Sequence, residues 1–204
     1  MSIKKIPIDI TFVLDATTSS QPIFYSLIEQ VNDLGLDLSK NYPKVNFNYG
    51  AVIYRDPVDY KEVKTEELIP YYRKQIEEYQ KKQKKERHKK LRENGIDPVE
   101  YDEEIRERES HYDKSKYPFD ENVAIDLQKD LEPLISELMK VECGAGNDEP
   151  EDWVGALTLA LNSISWRDKS KRAIIWIADS NAHGKLFCGY DNHNEEEPKM
   201  EPLI

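Results

Sequence analysis

Ile8-Asp9-Ile10-Thr11-Phe12-Val13-Leu14-Asp15 is a largely apolar run of strand length that ends in an acid, and Ala16-Thr17-Thr18-Ser19-Ser20 follows at once. Such a run reads as a central parallel strand that delivers polar side chains to one rim of a sheet. That rim is where open α/β sheets place their sites. Asp15, Thr17 and Ser19 have the spacing D-x-T-x-S, a carboxylate and two hydroxyls, all hard oxygen donors of the kind Mg2+, Mn2+ or Ca2+ prefers. The spacing reads as a metal loop. A strand followed by Asp and Ser/Thr is also a common way to cap a helix, and from these residues alone both readings stand.

At 204 residues the chain suits one domain, or one domain with an insertion, and is long enough to bury a sizeable core. With 34% charged residues, part of it must be largely solvated. A net charge of -11 argues against a general nucleic-acid binder, yet the charge is uneven. Residues 61–116 hold 16 of the 29 Lys/Arg and 15 of the 40 Asp/Glu, leaving 13 against 25 elsewhere, so the acidity belongs to the rest of the chain. No stretch approaches the ~18 to 20 consecutive apolar residues of a membrane span, and Met1-Ser2-Ile3-Lys4-Lys5 leads into the first strand without an apolar leader. Cys143 and Cys188 form no C-x-x-C pair, so nothing asks for a disulfide or export, and a reducing cytoplasm is the expected compartment.

Beyond the loop, Ile23, Leu27, Val31 and Leu34 recur at helical spacing after Pro22, which predicts a crossover helix ending near Gly35. Residues 45–54 alternate and then turn fully apolar, as a strand entering the core does, and stop at Arg55-Asp56-Pro57. Over 61–116 the character changes. Residues 66–91 are almost uninterrupted helix formers closed by Asn94-Gly95, and Asp97-Pro98-Val99-Glu100 opens a second helix with a cap and a first-turn acid. The apolar stripe of this hairpin is too thin for a core, and a first arm of ~28 residues would reach about 40 Å, so an arm projecting from a compact body is expected.

Tyr117-Pro118-Phe119 then suggests a short edge strand. Leu127, Leu131, Leu134, Ile135, Leu138 and Val141 share a helical face, with Pro133 marking a kink or a helix start just before it. An acidic Gly-rich loop, 144–152, runs into a helix with Trp153, Ala156, Leu157, Ala160, Leu161 and Ile164 on its apolar face. Ala173-Ile174-Ile175-Trp176-Ile177-Ala178 predicts a buried parallel strand that again ends in an acid, Asp179. Residues 180–204 are polar and suggest no element. Adjacent strands in a doubly wound sheet would bring Asp15 and Asp179 to one rim. Two uncompensated carboxylates there repel, and a divalent cation relieves this.

The strand 8–14 with Asp15-x-Thr17-x-Ser19, the loop and helix over 144–157, and the strand ending Ile177-Ala178-Asp179 together resemble the von Willebrand factor A-type domain with its metal-ion-dependent adhesion site. Tyr54-Arg55-Asp56, Gly146-Asn147-Asp148-Glu149-Pro150-Glu151-Asp152 and Ala178-Asp179-Ser180-Asn181-Ala182-His183-Gly184 resemble more narrowly the branch found with atypical alpha-kinases. The resemblance covers about 1–60 and 117–190. It implies a Rossmann-like, doubly wound, mostly parallel α/β sheet and a divalent cation, Mg2+ before Mn2+ or Ca2+. Asp15, Thr17, Ser19 and Asp179 match the family's ligand positions. The family's second-loop Thr has no counterpart: placing Ala156-Leu157 on the small-apolar pair of the following helix puts Glu151 there, with Asp148 or Glu149 as alternatives. A third carboxylate turns a neutral balance around a divalent ion net negative, which favours holding the ion and disfavours an acidic ligand. The family's sheet continues beyond the Asp179 loop, so a fragment is expected, or a shortened sheet whose edge a partner or second copy covers.

The expected organisation is therefore a von Willebrand A-like domain of residues 1–60 and 117–204 with an inserted charged helical hairpin, 61–116. Its expected function is divalent-cation-dependent protein binding, not catalysis. Aspartate-based phosphotransfer would need a second Asp two residues past the first, where Thr17 stands. His183, Cys188, His193 and Cys143 are zinc-type ligands at no common finger spacing, and scattered His in a loop is ordinarily only loop. Lys81 and the residues up to Arg92 carry eight basic residues against one acid, so nucleic-acid or anion binding, or assembly, is the alternative function. Set against it is a solvated helix balanced by Glu100, Asp102, Glu103, Glu104, Glu107 and Glu109. A protein partner is expected and a membrane is not; self-association through a sheet edge or the arm is a further expectation.

Overall fold

The computed structural model describes residues 5–17, 19–56, 81–82, 84–85, 87–110, 117, 121–144, 150–189, 191 and 195–203. The opening strand, β1 (Ile6–Asp15), lies inside a four-stranded sheet. It pairs in parallel with β2 (Val45–Tyr54) on one side and β4 (Lys171–Ile177) on the other, while β3 (Val123–Gln128) adds to β2 antiparallel, giving the order β3-β2-β1-β4. Period-two alternation splits the side chains of β1 and β2 between two cores. Ile10, Phe12, Leu14, Phe47, Tyr49, Ala51 and Ile53 face α1 (Gln21–Asn41) and α3 (Leu131–Leu138); Val13, Val52 and Tyr54 face α4 (Trp153–Asn162). The architecture is α/β with helices on both faces of a mixed sheet, compatible with a Rossmann-like arrangement.

Several elements differ from their predicted form. Helix α1 does not stop near Gly35 but runs to Asn41, and its buried face is Phe24, Leu27, Ile28 and Val31, with Ile23 and Leu34 exposed. Burying four such side chains is worth about 1.5–3 kcal/mol each, against roughly 1 kcal/mol for a glycine inside a helix. Packing wins, and Gly35 admits the Leu131 side chain of α3: a Cβ there would lie 2.6 Å from a Leu131 methyl. Leu127, which continues the helical spacing of Leu131, Leu134 and Leu138, belongs instead to strand β3. The helix begins only at Leu131. Of the predicted edge strand, Tyr117 forms an isolated bridge with Val141, and 118–119 lie outside the described residues. Among the described residues strand β4 is an edge, not a buried centre: Lys171, Arg172 and Ala173 are exposed and the rest half-buried. Residues 180–204 are not featureless either, since they include a short helix α5 (Glu197–Met200) and a 3-10 turn (Glu201–Leu203).

Between β2 and β3, residues 87–93 are helical and end in a Schellman turn, Ile96 N donating to Leu91 O and Gly95 N to Arg92 O, with Gly95 at φ +75°. Helix α2 (Pro98–Ser110) opens with Asp97 accepting from Val99 N at 2.8 Å. Asp102 holds the two helices together, taking Lys84 at 2.8 Å, Arg87 at 2.7 Å and His88 at 2.9 Å. Burial raises the pKa of Tyr101, whose neighbours are Ser26 and Glu29 of α1. Helix α2 therefore touches the body and does not stand clear of it; most of the predicted first arm lies outside the described residues. Among the described residues no helix is long and apolar enough to cross a membrane.

Candidate functional site

Parallel strands β1, β2 and β4 all end at one rim, so the residues that follow them meet there. Asp15, at the end of β1, is almost wholly buried. Its Oδ1 accepts from Thr17 N at 2.9 Å and from Thr17 Oγ1 at 2.7 Å, and Thr17 Oγ1 lies 3.1 Å from Ser19 Oγ. Its Oδ2 accepts from the Tyr54 hydroxyl at 3.2 Å. The carboxylate and two hydroxyls of the D-x-T-x-S spacing are thus in direct contact. They do not cap α1: Ser20 holds the N-cap position, without a side-chain cap bond.

The neighbouring acids reach this group electrostatically. Burial, and then the charge of Asp179, raise the Asp15 pKa against the pull of its hydrogen bonds from Thr17 and Tyr54. Burial pushes the Tyr54 hydroxyl far above its ordinary range, and the charges of Asp15 and Glu151 push it further. Asp179 itself is exposed, two residues past the end of β4. Glu151 is buried, and its backbone N donates to Asn181 O at 2.9 Å, pairing residue 151 with Ala182 and tying the loop before α4 to the loop after β4. Asp152 is the helix cap, accepting from Gly155 N at 2.7 Å and from Asn122 Nδ2 at 2.6 Å. Asp148 and Glu149 lie outside the described residues.

Trp176 and Trp153 wall this group on the α4 side, with ring centroids 5.7 Å from Tyr54 to Trp176 and 4.9 Å from Trp176 to Trp153. The buried Arg55 donates from Nη1 to Glu121 O and from Nη2 to Glu142 O, at 2.8 and 2.7 Å.

A second buried group went unassigned in the sequence. His183 Nε2 lies 3.2 Å from Asp56 Oδ2, and Nδ1 lies 3.3 Å from Asp191 Oδ2. Strand β2 also leads to an acid, Asp56, and the reasoning applied to Asp15 and Asp179 would have found it. Asp191 carried no such signal. Of the zinc-type residues, His183 faces carboxylates, Cys188 is a buried free thiol and His193 lies outside the described residues.

Among the described residues, no three His, Cys, Asp or Glu side chains converge at metal-binding spacing. The oxygens in direct contact are those of Asp15, Thr17 and Ser19, with the charge of Asp179 acting on Asp15 and that of Glu151 on the Tyr54 hydroxyl. The chain matches no protein-family model and no curated protein.

Proposed function

We propose that this chain is a divalent-cation-dependent protein-binding module of the von Willebrand A type, its cation held by Asp15, Thr17, Ser19 and Asp179, with Glu151 as the second-loop ligand. The observation that carries the reading is that the charge of Asp179 reaches the buried Asp15 and helps raise its pKa, the two acids standing at neighbouring parallel strand ends. The donor chemistry fits, since every candidate ligand offers a hard oxygen and the contact from Asp15 through Thr17 to Ser19 is already made. A bound dication would offset part of the charge of the rim carboxylates and offer a coordination position to a partner's oxygen.

The chain's own residues supply the rest. Tyr54 and Thr17 orient Asp15, and the bond from Glu151 to Asn181 keeps the second and third loops together. With three carboxylates around one dication the rim stays net negative, so a basic or neutral partner surface is favoured over an acidic one. Thr17, standing where phosphotransfer would need an acid, donates to Asp15, which supports binding over catalysis.

Thermal unfolding of the wild type and Asp15→Ala in EDTA and with Mg2+, Mn2+ or Ca2+ tests this. The expected result is stabilisation of the wild type alone, by about 2.7 kcal/mol at 100 times the dissociation constant. An equal response of both proteins, or of neither, overturns it.

A further inference from the structure

We infer that His183 is a positioning residue for the cation site, an inference that rests on the function proposed above. His183, Asp56 and Asp191 are 3%, 0% and 4% exposed, so the trio is closed to solvent and acts through its neighbours. A ring nitrogen faces each carboxylate. Among the described residues Oδ1 of Asp56 accepts no hydrogen bond, and His183 stands against Oδ2 of this buried acid.

The connections run from this ring to both halves of the site. Asp56 stands two residues after Tyr54, whose hydroxyl holds Asp15. On the other side, His183 follows directly on Asn181 and Ala182, which pair with Glu151, and lies four residues after Asp179. The ring therefore pins the segment bearing Asp179, and through it Glu151, to the strand end that orients Asp15. Downstream the loop closes on itself: Gly184 N donates to Asp191, Leu186 N donates to Glu197 Oε1 at 2.8 Å, and Gly184 has φ +106°. His183 ties this loop to Asp56, just past the end of β2.

The test is Mn2+ binding by the full chain, read as loss of the free-ion electron paramagnetic resonance signal well below each variant's unfolding temperature. The variants are His183→Phe, His183→Gln, Asp191→Asn and, as a control, Ser170→Ala, which removes a hydroxyl bonded to Asp9 near the start of β1. His183→Phe and Asp191→Asn should weaken Mn2+ roughly tenfold, as outer-sphere changes do, without altering the number of ions bound. His183→Gln, which keeps a donor for Asp56, should weaken it less. Ser170→Ala should lower the unfolding temperature and keep the wild-type affinity. Should His183→Phe fail to fold, the near-isosteric Asp191→Asn carries the test. Wild-type affinity in the folded variants, or an equal loss in Ser170→Ala, overturns the positioning role and leaves the cation site standing. A wild type that takes up no Mn2+ overturns both.

Discussion

The Tyr54 hydroxyl donates to Oδ2 of Asp15 at 3.2 Å, joining the ends of two adjacent parallel strands at residues that are register partners. Both side chains are buried, so no water replaces the bond when it is lost. Tyr54→Phe is expected to destabilise the protein by roughly 1.5–3 kcal/mol, the range for a hydrogen bond to a charged group. Urea unfolding with unchanged m-value measures it; a loss within error of zero would mean the bond contributes nothing.

Asp15 leads to the opposite sign. Burial and the charge of Asp179 raise its pKa, so it holds its proton more tightly folded than unfolded. Stability then falls as pH rises between the ordinary 3.8 and the raised value, and the ionised carboxylate costs stability at neutral pH. In EDTA at pH 7, Asp15→Asn should have a higher urea midpoint than the wild type, yet gain nothing from Mn2+. A lower midpoint in EDTA would contradict the sign.

Toward the other end of β1, Asp9 is fully buried and accepts from Arg167 Nε at 2.6 Å, Arg167 N at 2.8 Å and Ser170 Oγ at 2.6 Å. Removing one partner of such a pair strands the other charge in the interior. Arg167→Ala should destabilise by about 3 kcal/mol, seen as a lower denaturation midpoint, while the response to Mn2+ keeps its wild-type size.

The hairpin has its own pH signature. Burial alone would raise the Asp102 pKa, but hydrogen bonds from Lys84 and His88 and the charge of Arg87 hold it at about 2. A depressed carboxyl stabilises the fold above its ordinary pKa of 3.8, and that stabilisation is lost as pH falls from there to about 2. Amide exchange over residues 87–110 should therefore accelerate relative to intrinsic rates across that interval. In Asp102→Asn it should already be faster at pH 5 and change little on acidification.

Strands β1 and β2 were legible because their apolar runs are long and bounded, by Asp15 and the hydroxyls in one case and by Arg55-Asp56-Pro57 in the other. Strand β3 was not, because Leu127 fits both a period of two and the helical series through Leu131 and Leu134, and only pairing with β2 decides between them. Gly35 misled for a related reason. A glycine at a plausible helix end looks like a stop, and its actual use, admitting Leu131, depends on a helix nearly a hundred residues away.

The sequence by itself determined that this is an α/β chain and that the first strand leads into Asp15, Thr17 and Ser19, since these follow from local periodicity and composition. Tertiary structure alone decided that Asp15 meets Tyr54, that β4 is an edge among the described residues, and that Asp56, His183 and Asp191 form one buried group. Those contacts join residues distant along the chain, where no local pattern carries the pairing and only shared burial between packed elements selects it.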